Sequence, residues 1–154
     1  MARAGVPDVH HHDYREVLAT IDALEGVSGK VRSDMRGIYG ILSRAEAQAH
    51  GVAAGQEHFH EVGNAVGIEG VLRECQMVEA AHPSRITATP VLVGLGTVRC
   101  AHGELAIPAP ATAAILAQGI PVHPLRLEGE LCTPSSAAMI LHFVDGFEEG
   151  ATCG

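Results

Sequence analysis

Two histidines one residue apart, His58 and His60, stand between two glutamates, Glu57 and Glu61. In an extended segment, side chains two apart point the same way, so the two imidazoles can face one ion. The carboxylates can add ligands or orient the rings. Cys100 and His102 repeat the alternation further on, a soft donor with a borderline one, and His50 precedes the first pair. His10, His11 and His12 form a run that can take a divalent ion loosely and hand it on. Each feature also has an ordinary reading: a histidine in solvent or satisfied in a core, a cysteine as a small buried hydrophobe, a polar arm at a terminus. The residues alone leave both readings open.

A second kind of chemistry is expected at Thr133-Pro134-Ser135-Ser136. A hydroxyl at the cap and a proline in the first turn predict a helix start there. Its unpaired N–H groups, with the hydroxyls of Ser135 and Ser136, suit a phosphate or carboxylate; simple capping is the alternative. No nucleophile elbow, phosphate-binding loop or dinucleotide fingerprint is present, and Gly94-Leu95-Gly96 lacks a third glycine.

These residues must be positioned by short elements. Asp13 and Glu16 form a capping box before Tyr14, Val17, Leu18 and Ile21, and Gly26 ends that helix. Ser28 opens a second helix in which Val31, Met35, Ile38, Leu42, Ala45 and Ala49 form a narrow apolar stripe ending before Gly51; Arg44 and Glu46 lie on its polar face. The two should pair as a hairpin. Asn64 caps a third helix with Ile68, Val71, Leu72, Cys75 and Val78 on one face, ended by His82-Pro83. Strands are predicted over 86–93, with Pro90 favouring an edge or bulge, over 97–102 before a turn at Gly103, and between 122 and 131. A short helix after Pro110 should stop at Gly119, and the helix starting at Thr133 completes the set. The expected class is α/β, mixed α+β: a helical hairpin plus a short mixed sheet with flanking helices.

At 154 residues and 47% hydrophobic content, one domain with a real core is expected. It should cover 13–145, after a histidine-containing leader at 1–12 and before a loose tail at 146–154. A formal charge of -8 without Lys/Arg clusters excludes a nucleic-acid backbone as partner. No apolar run is long enough to cross a membrane, and the first seven residues lack the apolar stretch of a signal peptide, so a cytoplasmic location is expected. The cysteines at 75, 100, 132 and 153 form no close pair, which predicts reduced thiols rather than a disulfide framework or zinc knuckle.

In order along the chain stand His50-Gly51, His58-Phe59-His60-Glu61-Val62-Gly63, Cys100-Ala101-His102-Gly103, Pro108-Ala109-Pro110-Ala111-Thr112 and Glu130-Leu131-Cys132-Thr133-Pro134. From about His10 to Met139 this series resembles the LarC family of nickel insertion proteins. The resemblance implies a nickel chelatase of the lyase class. Such a protein inserts Ni(II) into a pyridinium bis-thiocarboxylate mononucleotide and hydrolyses CTP, completing the nickel-pincer nucleotide of lactate racemase-type enzymes. It implies metal donors among His58, His60, Glu61, His50, Cys100 and His102, with His10, His11 and His12 as accessory ligands. Glu61 and Glu130 are then the candidate catalytic carboxylates, and Thr133, Ser135 and Ser136 border the nucleotide.

By the same resemblance this chain corresponds to the middle of the family protein, so CTP and its divalent metal are expected on a separate domain or chain, with a homo-oligomer as a further expectation. The family pattern has aspartates near Val66 and near Gly70; their absence implies a weaker hold on hard cations. The family's TPTGAA stands here as Thr133-Pro134-Ser135-Ser136-Ala137-Ala138, which keeps the cap. Two other functions remain: a truncated, non-enzymatic metal-binding or assembly module, and a small zinc-dependent hydrolase with an open water position.

Overall fold

The computed structural model describes residues 12–59, 62–100 and 103–148, a mixed α/β arrangement of five helices and four two-stranded ladders among them. A short strand β1 (His12–Asp13) leads into α1 (Tyr14–Ala23), which starts on the predicted capping box: Asp13 accepts from the Glu16 N–H while the Glu16 carboxylate accepts from the Asp13 N–H. Ser28 caps α2 (Gly29–His50), and Gly51 ends it in the left-handed conformation, φ 67°. The α1–α2 turn is closed by Arg32, whose guanidinium donates to the carbonyls of Ile21, Asp22 and Leu24 at 2.6, 2.7 and 3.0 Å. These are carbonyls a helix end would otherwise leave unpaired.

β2 (His58–Phe59) follows, antiparallel to β1, with Asp13 opposite His58. Asn64 caps α3 (Ala65–Ala81), which His82 ends at φ 45°. β3 (Thr87–Ala88), β4 (Gly94–Leu95), β5 (Thr97–Cys100) and β6 (Gly103–Ala106) precede α4 (Pro110–Leu116). β7 (Gly129–Glu130), α5 (Pro134–Phe143) on its Thr133 cap, and β8 (Gly146–Phe147) complete the order.

α2 is the centre, packed against α1, α3, α4 and α5. Val31, Met35, Ile38, Leu42 and Ala45 are buried as the stripe predicts, but so are Tyr39, Ile41 and Ala47. A helix with neighbours on several sides buries a wider face than a hairpin partner needs. Ala49, placed on the stripe by spacing, is exposed instead and lines a cavity.

The strands are shorter than predicted. Of 86–93 only Thr87–Ala88 forms a ladder, with an isolated bridge from Val91 to Val122; of 122–131 only Gly129–Glu130 does. Pro90, Pro121 and Pro124 supply no N–H, which breaks the ladders into pieces. Both pairing senses occur, β3–β8 being parallel and the other three ladders antiparallel. Gly103, expected as a turn after an extended 97–102, opens β6 and pairs with Cys100. Gly146–Phe147, within the stretch expected to be a loose tail, lies beside β3. No helix is long and apolar enough to cross a membrane among the described residues.

Candidate functional site

Several elements end at one cavity of about 470 Å³. The last turn of α2 brings Glu46 and His50 to it, β2 brings His58, and the end of β5 brings Cys100. It also reaches Glu130 on β7 and Thr133 and Ser135 at the start of α5, while Val62, Val98 and Leu105 contribute apolar wall. Three donor-type residues singled out in separate motifs therefore share one space with the predicted anion-binding helix start.

Each is placed by a local cause. Gly51 stops α2 immediately after His50, so the ring sits at a helix C-terminus, where partial negative charge suits a bound cation. Glu46 lies one turn earlier, with Oε2 at 3.6 Å from His50 Nε2. His58 projects from β2 between Glu57 and Phe59, which are 2% and 1% exposed. Cys100 is half-buried at the end of its strand.

Glu130 depends on Gly94, its partner across the β4–β7 ladder. Gly94 has φ +91°, and a Cβ there would lie 1.9 Å from the Gly129 carbonyl oxygen, so only glycine permits this approach.

At the α5 start, Thr133 Oγ1 accepts from the Ser136 N–H at 3.2 Å and shares a 2.9 Å hydrogen bond with Ser136 Oγ. Ser136 is thus engaged with the cap and does not line the cavity, whereas Ser135 does. Pro134 has no N–H, which leaves the Ser135 N–H as the first donor of a turn whose donors have no partner within the helix.

Glu57, expected as a ligand or ring-orienting neighbour of His58, is turned away from the cavity. The Ser43 hydroxyl donates to its Oε1, and the Gly55 N–H donates to Oε2 at 2.6 Å. His60, Glu61, His102, His10 and His11, and the side chain of His12, lie outside the described residues. Among the described residues, no group of three His, Cys, Asp or Glu side chains is arranged to hold a metal ion.

Electrostatics separate the cysteines. Burial, with the nearby Asp34 charge, pushes the Cys75 thiol up to about 12, and burial with the Glu130 charge raises Cys132. Both stay protonated and behave as core residues. Burial likewise raises the Tyr39 phenol, whose O–H donates to the Val62 carbonyl at 2.6 Å.

By spacing Glu46 falls on the polar face of α2, outside the predicted site residues. Its spacing of four from His50 on the last turn of α2 was the available signal.

Comparison with known proteins places the chain in a family. Residues 4–153 match the family model described as nickel insertion protein. A putative nickel insertion protein of Geobacter metallireducens is 36% identical over 137 residues, covering 89% of this chain and 35% of the relative. One of Dictyoglomus thermophilum is 37% identical over 135 residues, 88% of this chain and 35% of the relative. The pyridinium-3,5-bisthiocarboxylic acid mononucleotide nickel insertion protein of Geobacillus kaustophilus is 34% identical over 139 residues, 89% and 34%. The chain spans about a third of the length of the curated relatives it matches. No solved structure matches it. The family model covers nearly the whole sequence and the relatives align with most of it, and on these grounds the chain belongs to the nickel insertion protein family.

Proposed function

We propose that this chain is the metal-handling part of a cytoplasmic nickel insertion protein, taking Ni(II) as substrate and presenting it to a pyridinium mononucleotide. The observation that carries the reading is the convergence of His50, His58 and Cys100 on the cavity that also reaches Thr133 and Ser135. Imidazole and thiol are suitable donors for nickel, and they arrive from three separate elements, so the site exists only in the folded chain. Glu46 and Glu130 supply negative charge toward two cationic substrates, the metal and the pyridinium ring. The Ser135 N–H and hydroxyl at the α5 start are the groups that would meet the phosphate of the nucleotide. CTP and its divalent metal are assigned to a separate domain.

Calorimetric titration with Ni(II) tests the metal half. His50→Ala and His58→Ala are each expected to weaken binding about tenfold, on the order of 1.4 kcal/mol. Unchanged affinity in both would remove these residues from the site. Incubation with nickel and the dithiocarboxylate nucleotide, with and without CTP, then reads insertion directly.

A further inference from the structure

The segment carrying His58 is held on α2 in a way that fixes where the ring points. Glu57 and Phe59 are buried against the helix side while His58 between them opens to the cavity, the period of two that a strand imposes. A slip of one residue would exchange the two faces and bury the imidazole. Phe59 packs edge-on to the rings of Tyr14 and Tyr39, with centroids 6.4 and 6.0 Å away.

Aromatic packing alone tolerates some sliding, and here it is joined by a costlier device. Glu57 places a carboxylate out of water between two neutral donors, the Ser43 hydroxyl and the Gly55 N–H. An apolar residue would seat the same strand without the cost of taking a polar side chain out of water. What hydrogen bonds add is direction. Ser43 lies on α2 three residues before Glu46 and seven before His50, so the bond joins the His58 strand to the helical face that presents His50.

We propose that Ser43 and Glu57 form a register latch, a positioning pair that touches no metal and sets His58 beside His50. The proposal rests on the reading of His58 as a nickel donor. Glu57→Gln keeps the shape of the latch: its amide oxygen can accept from the Gly55 N–H and its NH2 group can donate to Ser43 Oγ. Ser43→Ala deletes the hydroxyl at a helical position where alanine is the best helix former, so the helix itself is not weakened.

The test is Ni(II) calorimetry on Ser43→Ala, Glu57→Gln, His58→Ala and the Ser43→Ala/His58→Ala double variant, with helical content checked by circular dichroism. Ser43→Ala is expected to lose about tenfold in affinity, the loss typical of residues that orient ligands. The double variant should bind no worse than His58→Ala alone, and Glu57→Gln should match the parent. Wild-type affinity in Ser43→Ala, additive losses in the double variant, or a loss in Glu57→Gln would each overturn the latch while leaving His58 as a donor. No effect of His58→Ala would instead overturn the reading beneath it.

Discussion

Cys75, Cys100 and Cys132 present the same side chain in different surroundings, and those surroundings decide which thiol can do chemistry. Only a thiolate attacks an alkylating agent or binds a soft metal strongly. Cys75 is fully buried and held protonated up to about pH 12, and Cys132 is buried and raised in the same direction. Cys100 borders the cavity and is half-buried. Of these three, iodoacetamide at pH 8, followed by peptide mass mapping, should therefore label Cys100 first and leave Cys75 and Cys132 until the chain unfolds. Preloading with Ni(II) should slow the Cys100 reaction. Equal labelling of Cys75 in the native protein would contradict the packing described here.

At the scale of elements, the caps were readable and the ladders were not. Asp13, Ser28, Asn64 and Thr133 each begin a helix where their side chains predict it, because a cap is a local bond between residues two or three apart. Strand extent depends on partners distant in sequence, so 86–93 and 122–131 read as continuous although the prolines confine pairing to a few residues. Gly94→Ala tests the crossing that carries Glu130. The new methyl would meet the Gly129 carbonyl in a backbone conformation with positive φ, and a loss of more than about 2 kcal/mol in urea unfolding is expected. Unchanged stability would mean that the two strands do not approach as described. The candidate site divides along the same line. His50 and Cys100 could be read from a helix stop and an alternating pair, whereas the burial of Glu57 could not, since a glutamate on the inward face breaks the rule that polar side chains point out.

For the whole molecule, α2 joins two sites of different character. Its C-terminal turn lines the cavity, and twelve residues earlier, about 18 Å along the axis, Asp34 ties it to α5. His142 Nε2 lies 3.0 Å from Asp34 Oδ1, and Lys30 Nζ lies 2.7 Å from Oδ2. Gly37 makes room for the imidazole, since a Cβ there would sit 2.5 Å from His142 Cε1. Burial alone would raise the Asp34 carboxyl, but its bonds to Lys30 and His142 outweigh that and hold it below its usual 3.8. The folded chain then binds fewer protons at Asp34 than the unfolded chain does, so this tie stabilises above the unfolded value near 3.9 and is lost as pH falls through the lower folded value. In urea melts, Asp34→Asn should be less stable than the parent at pH 5, and the gap should close progressively as pH falls below about 4. Because the tie is remote from the cavity, Ni(II) affinity at neutral pH should be the same in Asp34→Asn and the parent. A gap that widens in acid would reverse the sign of the Asp34 shift, and a loss of nickel binding would show that the two ends of α2 are coupled.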